Sequence, residues 1–184
     1  MPILAIAVLI LAVVVTVRAA SAWMKYRGDR VVECPENRRP AGVKLAVGSA
    51  VGHAASLSLW SGGGPRLASC SRWPEKAGCG QPCLSQIQAA PEDCLVRNIL
   101  SRWYEGKSCA SCGARFGEID WTVRKPALRD AGGATLEWSA IPAEKLSETL
   151  AAALPVCFAC HMANTLVREH PELAVERPAQ WSKQ

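Results

Sequence analysis

Two pairs of cysteines with the same short spacing carry the clearest chemistry in the sequence. They are Cys109-x-x-Cys112 and Cys157-x-x-Cys160. Two cysteines separated by two residues place their thiolates on one side of a tight turn, where both can bind one metal ion at about 2.3 Å. Gly113 follows the first pair and suits such a turn, because glycine tolerates a positive φ. Since two pairs supply four thiolates, we predict one tetrahedral Cys₄ site for Zn²⁺.

A Cys₄ zinc site carries two net negative charges, so the surrounding chain must stabilise thiolates. We expect the backbone N–H groups of the first turn and of the N-terminus of the last helix to do this. Lys107 and Arg115 flank the first pair in sequence and are expected to contribute positive charge.

The segment between the two pairs contains a predicted β-hairpin. Apolar residues alternate with polar ones at Ile119, Trp121 and Val123, which is typical of a strand. Residues 130–133 predict a turn, and a second strand is expected at residues 136–138. The two tryptophans of this hairpin, Trp121 and Trp138, are expected to form a cross-strand pair.

Two helices are predicted to follow the hairpin. Residues 142–154 begin with proline and place Leu146, Leu150 and Leu154 on one face, and Pro155 is expected to end that helix. The last helix is predicted over residues 158–169, so that the second cysteine pair lies in its first turn.

The order of turn, hairpin and helix resembles the treble-clef zinc finger over about residues 105–170. The resemblance depends on Cys109, Cys112, Cys157 and Cys160, with the hairpin between them. The helix inserted at 142–154 departs from the pattern. Treble clefs bind nucleic acids or proteins or assist enzymes, so the resemblance implies a fold and a structural zinc but no single function.

A second interpretation uses the same cysteines. Cys157, Cys160 and His161 form a C-x-x-C-H sequence, which resembles the haem-attachment motif of c-type cytochromes and would make His161 the proximal ligand. The second axial ligand would come from a set of four other residues. They are Met24, Met162, His53 and His170. Under the zinc interpretation, His161 is expected on the helix surface or hydrogen-bonded to a thiolate.

Five further cysteines precede the first pair. Three of them, Cys70, Cys79 and Cys83, lie close together in sequence, and Cys34 or Cys94 would be the fourth ligand of a second site. A second Zn²⁺ is the preferred occupant, and an iron–sulfur cluster is the alternative because it also needs four thiolates. The remaining interpretation is that several are small buried residues.

The N-terminus is predicted to be a single transmembrane helix. Residues 1–17 carry no charged side chain, and we place the span at about residues 3–23, within an anchor of residues 1–24. Trp23, Lys25 and Arg27 are typical of a membrane interface. Positive charge after the span puts the N-terminus outside and the rest of the chain in the cytoplasm, where clustered cysteines favour metal over disulfides. The alternatives are a signal peptide cleaved after residues 20–22 and an exported domain.

The part after the anchor is predicted to divide at about residue 105. Residues 25–105 form a cysteine-rich unit of strands, loops and a helix, residues 106–172 the zinc unit, and residues 173–184 a flexible tail. Strands are expected at residues 31–34, 43–47 and 56–59, and a helix from about residue 91 to Gly106. The predicted fold class is therefore α+β: a transmembrane helix followed by a small metal-stabilised domain of short hairpins and helices.

Composition limits the functional classes. The chain of 184 residues has a net charge of +5, most of it between Arg18 and Lys44, so no nucleic-acid surface is expected on the main body. The sequence shows no catalytic combination of side chains and no evident small-molecule substrate, so we expect no enzyme. The prediction is a membrane-anchored zinc scaffold that contacts another protein. The alternative is an exported electron carrier with haem c or an iron–sulfur cluster, and a thiol redox protein is a further rival.

Overall fold

The computed structural model describes residues 2–55, 65–76 and 78–173. It contains helices and two small antiparallel sheets, in agreement with the mixed helix and sheet composition expected. The strand predicted at residues 56–59 and most of the predicted tail lie outside the described residues.

Helix α1 (Pro2–Tyr26) contains the predicted span. Its segment Ala5–Tyr26 is long and apolar enough to cross a membrane, and it is the one such helix in the described part of the chain. Apolar side chains such as Ile6, Leu9 and Val13 are exposed along it. An N-terminal signal sequence shares this length and composition.

Arg30 closes the C-terminal end of α1. Its guanidinium is completely buried and donates hydrogen bonds to backbone carbonyls at the helix end, including Tyr26 O at 2.9 Å. The last carbonyls of a helix have no partner within the helix, so a buried arginine satisfies them. Gly28, at φ +99°, turns the chain so that β1 can begin.

The first compact unit comprises Met1–Leu100 and Pro142–Lys145. Its sheet has the order β1 (Arg30–Glu33), β2 (Pro40–Leu45), β3 (Leu67–Cys70), and both pairings are antiparallel. Alternate residues of β1 and β2 point inward and pack with residues of β3 and the following helices. The buried core contains Val32, Ala41, Val43, Leu45, Leu67, Cys83 and Ile87.

The second predicted strand was placed too far along the chain. Strand β2 ends at Leu45, and Val47 begins helix α2 (Val47–Ala55), which packs against α1. Ser49 donates both its backbone N–H and its hydroxyl to Ala46 O, which starts a helical turn where the sequence suggested an extended chain. Two short helices follow β3 in the chain, α3 (Trp73–Lys76) and α4 (Leu84–Ala89).

Helix α5 (Val96–Tyr104) begins later than predicted. The expected start near residue 91 is wrong because the chain before α5 contacts β1: Val31 N donates to Cys94 O at 2.9 Å, and Leu95 forms a bridge with Arg30. Backbone groups used in this contact are not available for a helix.

The second compact unit comprises Ser101–Ile141 and Leu146–Gln184. Its antiparallel sheet has the order β5 (Thr135–Leu136), β4 (Ala127–Arg129), β6 (Leu154–Val156). Helices α6 (Leu146–Ala152) and α7 (Phe158–Glu169) flank β6 in the chain. Tyr104 is completely buried, and its hydroxyl donates to Ala127 O at 2.8 Å.

Two predictions for this unit are wrong. Residues 119–123 form no strand: residues 121–123 are a turn, in which Asp120 Oδ1 accepts hydrogen bonds from Thr122 N and Val123 N. The predicted helix over residues 142–154 is divided: residues 143–145 form a 3₁₀ helix, α6 ends at Ala152, and Leu154 belongs to β6. The two tryptophans still meet edge to face, 5.8 Å apart, from the turn at Trp121 and a 3₁₀ helix at Trp138.

Candidate metal centre

Four cysteines of the second unit converge on one point. The sulfur atoms of Cys109, Cys112, Cys157 and Cys160, the Cys tetrad, all lie within 4.8 Å of one another. Cys112 Sγ and Cys157 Sγ are 3.8 Å apart. Four sulfurs bound tetrahedrally at about 2.3 Å would be about 3.8 Å apart, so the tetrad has the dimensions of a thiolate metal site.

The first pair lies in a tight turn held by backbone hydrogen bonds. Cys109 N donates to Ala114 O and Gly113 N donates to Cys109 O, both at 2.8 Å. Ser108 and Arg115 form an antiparallel bridge at the base of the turn. Gly113 has φ +75°, a conformation that strains other residues, so the turn predicted from the sequence requires the glycine there.

The second pair is positioned by the junction of β6 and α7. Cys157 precedes α7 in extended backbone, and Cys160 lies in the first turn of the helix. Pro155 in β6 has no N–H, but its carbonyl accepts a 2.8 Å hydrogen bond from Ala110 N. This bond joins the second pair to the turn of the first, so main-chain contacts bring the two pairs together.

Backbone donors stabilise negative charge on one sulfur of the tetrad. Cys109 is buried, and its Sγ accepts hydrogen bonds from Cys157 N at 3.3 Å and Ser111 N at 3.4 Å. Burial raises the pKa of Cys109, but the backbone N–H groups around it outweigh burial and lower the pKa to about 6.

The opposite shift occurs at Cys160. Burial and the three neighbouring thiols raise the pKa of this residue well above its usual value. Four thiolates repel one another unless a cation lies between them, which is the electrostatic condition that a bound metal ion satisfies.

The two basic residues that were expected to contribute positive charge near the thiolates, Lys107 and Arg115, make other contacts. Lys107 Nζ lies 3.5 Å from the centre of the Trp103 ring, a cation–π contact. Arg115 takes part through its backbone, in the bridge with Ser108. Arg129 of β4 instead donates a hydrogen bond to Ser111 Oγ within the turn. Sequence reasoning missed Arg129, because only the pairing of β4 with β6 brings it there.

His161 is not on the helix surface. It is 8% exposed, and its Nδ1 lies 2.9 Å from Thr135 Oγ1 of β5, while Nε2 is 4.0 Å from Glu137 Oε1. The expectation of a surface residue or a thiolate partner is therefore wrong. The residue connects α7 to the sheet, and nothing in the local sequence marked Thr135 as its partner.

The other residues named for haem ligation are placed as follows. Met162 is half-exposed beside His161, and His170 Nδ1 lies 3.1 Å from Glu172 Oε1. Met24 is exposed on α1, and the side chain of His53 lies outside the described residues.

The five cysteines of the first unit form no group as tight as the tetrad among the described residues. Four of them line one small cavity, and Cys94 is not among its lining residues. The four are Cys34, Cys70, Cys79 and Cys83.

A groove of about 830 Å³ adjoins the tetrad. Phe116, Val123 and Phe158 give it apolar walls. Its charged residues are Glu118, Asp120 and Arg124. Cys157 belongs to the same surface, so anything bound in the groove would lie beside the metal centre.

Comparison with known proteins gives no relative for this chain. No family model, no curated protein and no solved structure matches it.

Proposed function

We propose that the protein is a membrane-anchored zinc-binding scaffold whose second unit is built on the Cys tetrad. The observation that carries this proposal is the convergence of four sulfur atoms within 4.8 Å from two distant parts of the chain. Thiolate ligands in a set of four favour Zn²⁺, which accepts tetrahedral sulfur coordination.

The zinc would be structural rather than catalytic. A catalytic zinc keeps one position for water or substrate, whereas the tetrad supplies four protein ligands. The order of cysteine turn, sheet and helix is what the treble-clef resemblance implies, with α6 and β6 as additions to the pattern. Much of the folding free energy of so small a unit would come from the metal.

The contacts of the C-x-x-C-H segment favour zinc over haem. Attachment of haem would need the sulfurs of Cys157 and Cys160, which lie with the other pair in the tetrad. It would also need a free imidazole, whereas His161 is buried between Thr135 and Glu137. No described contact favours the electron carrier.

We assign α1 the role of the anchor. Its exposed apolar surface suits lipid, and Arg27 lies over the ring of Trp23 at 4.5 Å, a pair typical of a membrane interface. The positive charge after the helix supports an outside N-terminus and a cytoplasmic domain.

The partner would be another protein. The groove beside the tetrad combines aromatic walls with two acidic residues and one basic residue, a composition suited to a peptide segment. The modest net charge gives no support for nucleic acid.

Metal analysis tests the proposal. The full chain is purified from its native membrane, and zinc and iron are measured by mass spectrometry for the wild type, Cys112→Ser and Cys94→Ser. We expect Cys112→Ser to lose one zinc per chain and the control Cys94→Ser to lose none. Zinc unchanged in Cys112→Ser, or iron in its place, would reject the proposal.

A further inference from the structure

The first unit holds a second set of cysteines around one cavity of about 60 Å³. Cys34 directly follows β1, Cys70 ends β3, Cys83 directly precedes α4, and Cys79 lies in the loop between the short helices. Strand pairing and core packing therefore bring together residues that the sequence separates. Their exposure decreases from Cys79, which is exposed, to Cys83, which is buried.

The shared cavity places these four thiols near one another, and their electrostatic influence on Cys83 agrees with that placement. The pKa of Cys83 is raised by burial and further by the nearness of Cys70, Cys79 and Cys34. Cys94 is absent from this set, and its own surroundings are Arg30 and Asp93. The geometry thus separates Cys34 from Cys94, two residues that the sequence left equivalent.

Positive charge borders the cavity. Arg72 Nη1 lies 3.0 Å from Cys34 Sγ, and Glu36 bridges Arg72 at 3.4 Å and Lys76 at 2.6 Å. Arg72, Lys76 and Glu36 all line the cavity, so its border carries one net positive charge. Thiols that merely filled an apolar core would need no such cations, whereas a Cys₄ site with Zn²⁺ has two negative charges to offset.

Trp73 supplies an unsatisfied donor in the same wall. It lines the cavity, and its indole Nε1–H is buried without an acceptor among the described residues. Buried donors in folded proteins are nearly always paired. Metal-bound thiolates are strong acceptors, so an occupied cavity offers the class of partner that this donor lacks.

We infer that Cys34, Cys70, Cys79 and Cys83 form a second thiolate centre for Zn²⁺, with Arg72 as the residue that stabilises its charge. The four sulfurs are not all within 4.8 Å of one another, so metal binding would draw them inward around the cavity. Tetrahedral coordination of Zn²⁺ requires that four sulfurs reach one point, and they can do so from four separate segments. This centre is independent of the Cys tetrad.

Zinc stoichiometry in single variants tests the second centre. The full chain is purified in detergent, and zinc per chain is measured for the wild type, Cys79→Ser, Cys94→Ser and Cys112→Ser. We expect two zinc in the wild type and in Cys94→Ser, and one in each of the other two. Cys79 is the chosen ligand because it is exposed and its replacement leaves the core intact.

The outcomes separate this inference from the proposed function. If Cys79→Ser keeps the wild-type zinc, or if Cys94→Ser loses as much as Cys79→Ser, the second centre is rejected. A wild type with one zinc that only Cys112→Ser removes rejects the second centre and retains the tetrad. Iron with acid-labile sulfide lost in Cys79→Ser would reject zinc as the occupant.

Alkylation of the wild type gives a test that requires no variant. The protein is treated with iodoacetamide with and without a chelator, and modified cysteines are mapped by peptide mass spectrometry. We expect metal to protect Cys79 severalfold, although it is exposed, and to leave Cys94 unchanged. Equal modification of Cys79 with and without the chelator would overturn the inference.

Discussion

The two cysteine groups of this protein differ in how their ligands are brought together. In the second unit, each C-x-x-C pair is held by its own turn or helix start, and one backbone bond, Ala110 N to Pro155 O, joins the pairs. In the first unit, four cysteines come from four segments and meet only through the sheet and the core. The sulfurs of the tetrad therefore lie close together, whereas those of the first group lie farther apart around a cavity.

This difference sets the expected dependence of folding on metal. The tetrad lies in a unit with a three-stranded sheet of very short strands, so we expect metal to supply much of its stability. The first unit has its own apolar core of Val32, Val43, Leu45, Leu67 and Ile87, so it is expected to fold before metal binds.

The largest expected effect comes from the matched pair Cys109→Ser and Cys34→Ser. Cys109→Ser removes the buried sulfur that accepts two backbone hydrogen bonds, so we expect zinc loss and unfolding of the second unit. Cys34→Ser should lose its zinc with the fold of the first unit retained. Hydrogen exchange of the α7 amides measures the folding of the second unit, and exchange of the β2 amides measures that of the first. Protected α7 amides in Cys109→Ser would contradict the metal-dependent second unit.

Replacement of His161 tests whether the centre uses thiolates alone. His161→Ala removes the contact with Thr135 Oγ1 and leaves a cavity, so we expect a loss of about 2 kcal/mol in the free energy of unfolding. Zinc per chain should not change, because the ligands are the four cysteines. His170→Ala, at an exposed position, is the control and should alter neither quantity. Loss of a bound chromophore in His161→Ala would overturn the zinc assignment.

Arg72→Gln tests whether the cation beside Cys34 raises the zinc affinity of the first cysteine group. It removes the cation beside Cys34 Sγ, and we expect zinc affinity of the first group to fall roughly tenfold, the usual effect of losing a partner of a ligand. Competition with a chromophoric chelator measures it in the Cys112→Ser background. Arg39→Gln is the control, and an equal effect in both variants would contradict a local role.

Gly113→Ala gives the smallest expected effect. An alanine at φ +75° costs about 1 kcal/mol, and the cost is conformational because open space surrounds this position. We expect zinc affinity of the tetrad to fall by less than tenfold. Gly117→Ala, also in open space but without positive φ, is the matched control. Unchanged zinc affinity in Gly113→Ala would contradict the requirement for a glycine at this positive φ.

Local patterns predicted the elements whose signals lie within one segment. The apolar run gave α1, the turn at Gly113 followed from the C-x-x-C-G sequence, and the helix at Phe158–Glu169 matches its predicted bounds. Each depends on periodicity, spacing or a glycine conformation that neighbouring residues specify without distant contacts.

Predictions failed where distant contacts override local propensity. Residues 91–95 are predicted to be helical, but Cys94 and Leu95 contact β1 through their backbones. Leu154 leaves its expected helix because β6 pairs with β4. The turn at Asp120 depends on a side chain that replaces strand hydrogen bonds. Alternating apolar residues describe a preference for burial, and they do not decide which backbone groups pair.

The sequence by itself determined the apolar N-terminal helix and the possible metal ligands, which are two C-x-x-C pairs and five further cysteines. Only the tertiary structure decided that the two pairs meet and that Cys34 rather than Cys94 lines the cavity with the other three cysteines. It also decided that Arg30 binds the carbonyls at the end of α1 and that His161 is hydrogen-bonded to Thr135. The physical reason is that ligand types and turn conformations are local properties, whereas convergence depends on strand register and burial across the whole unit.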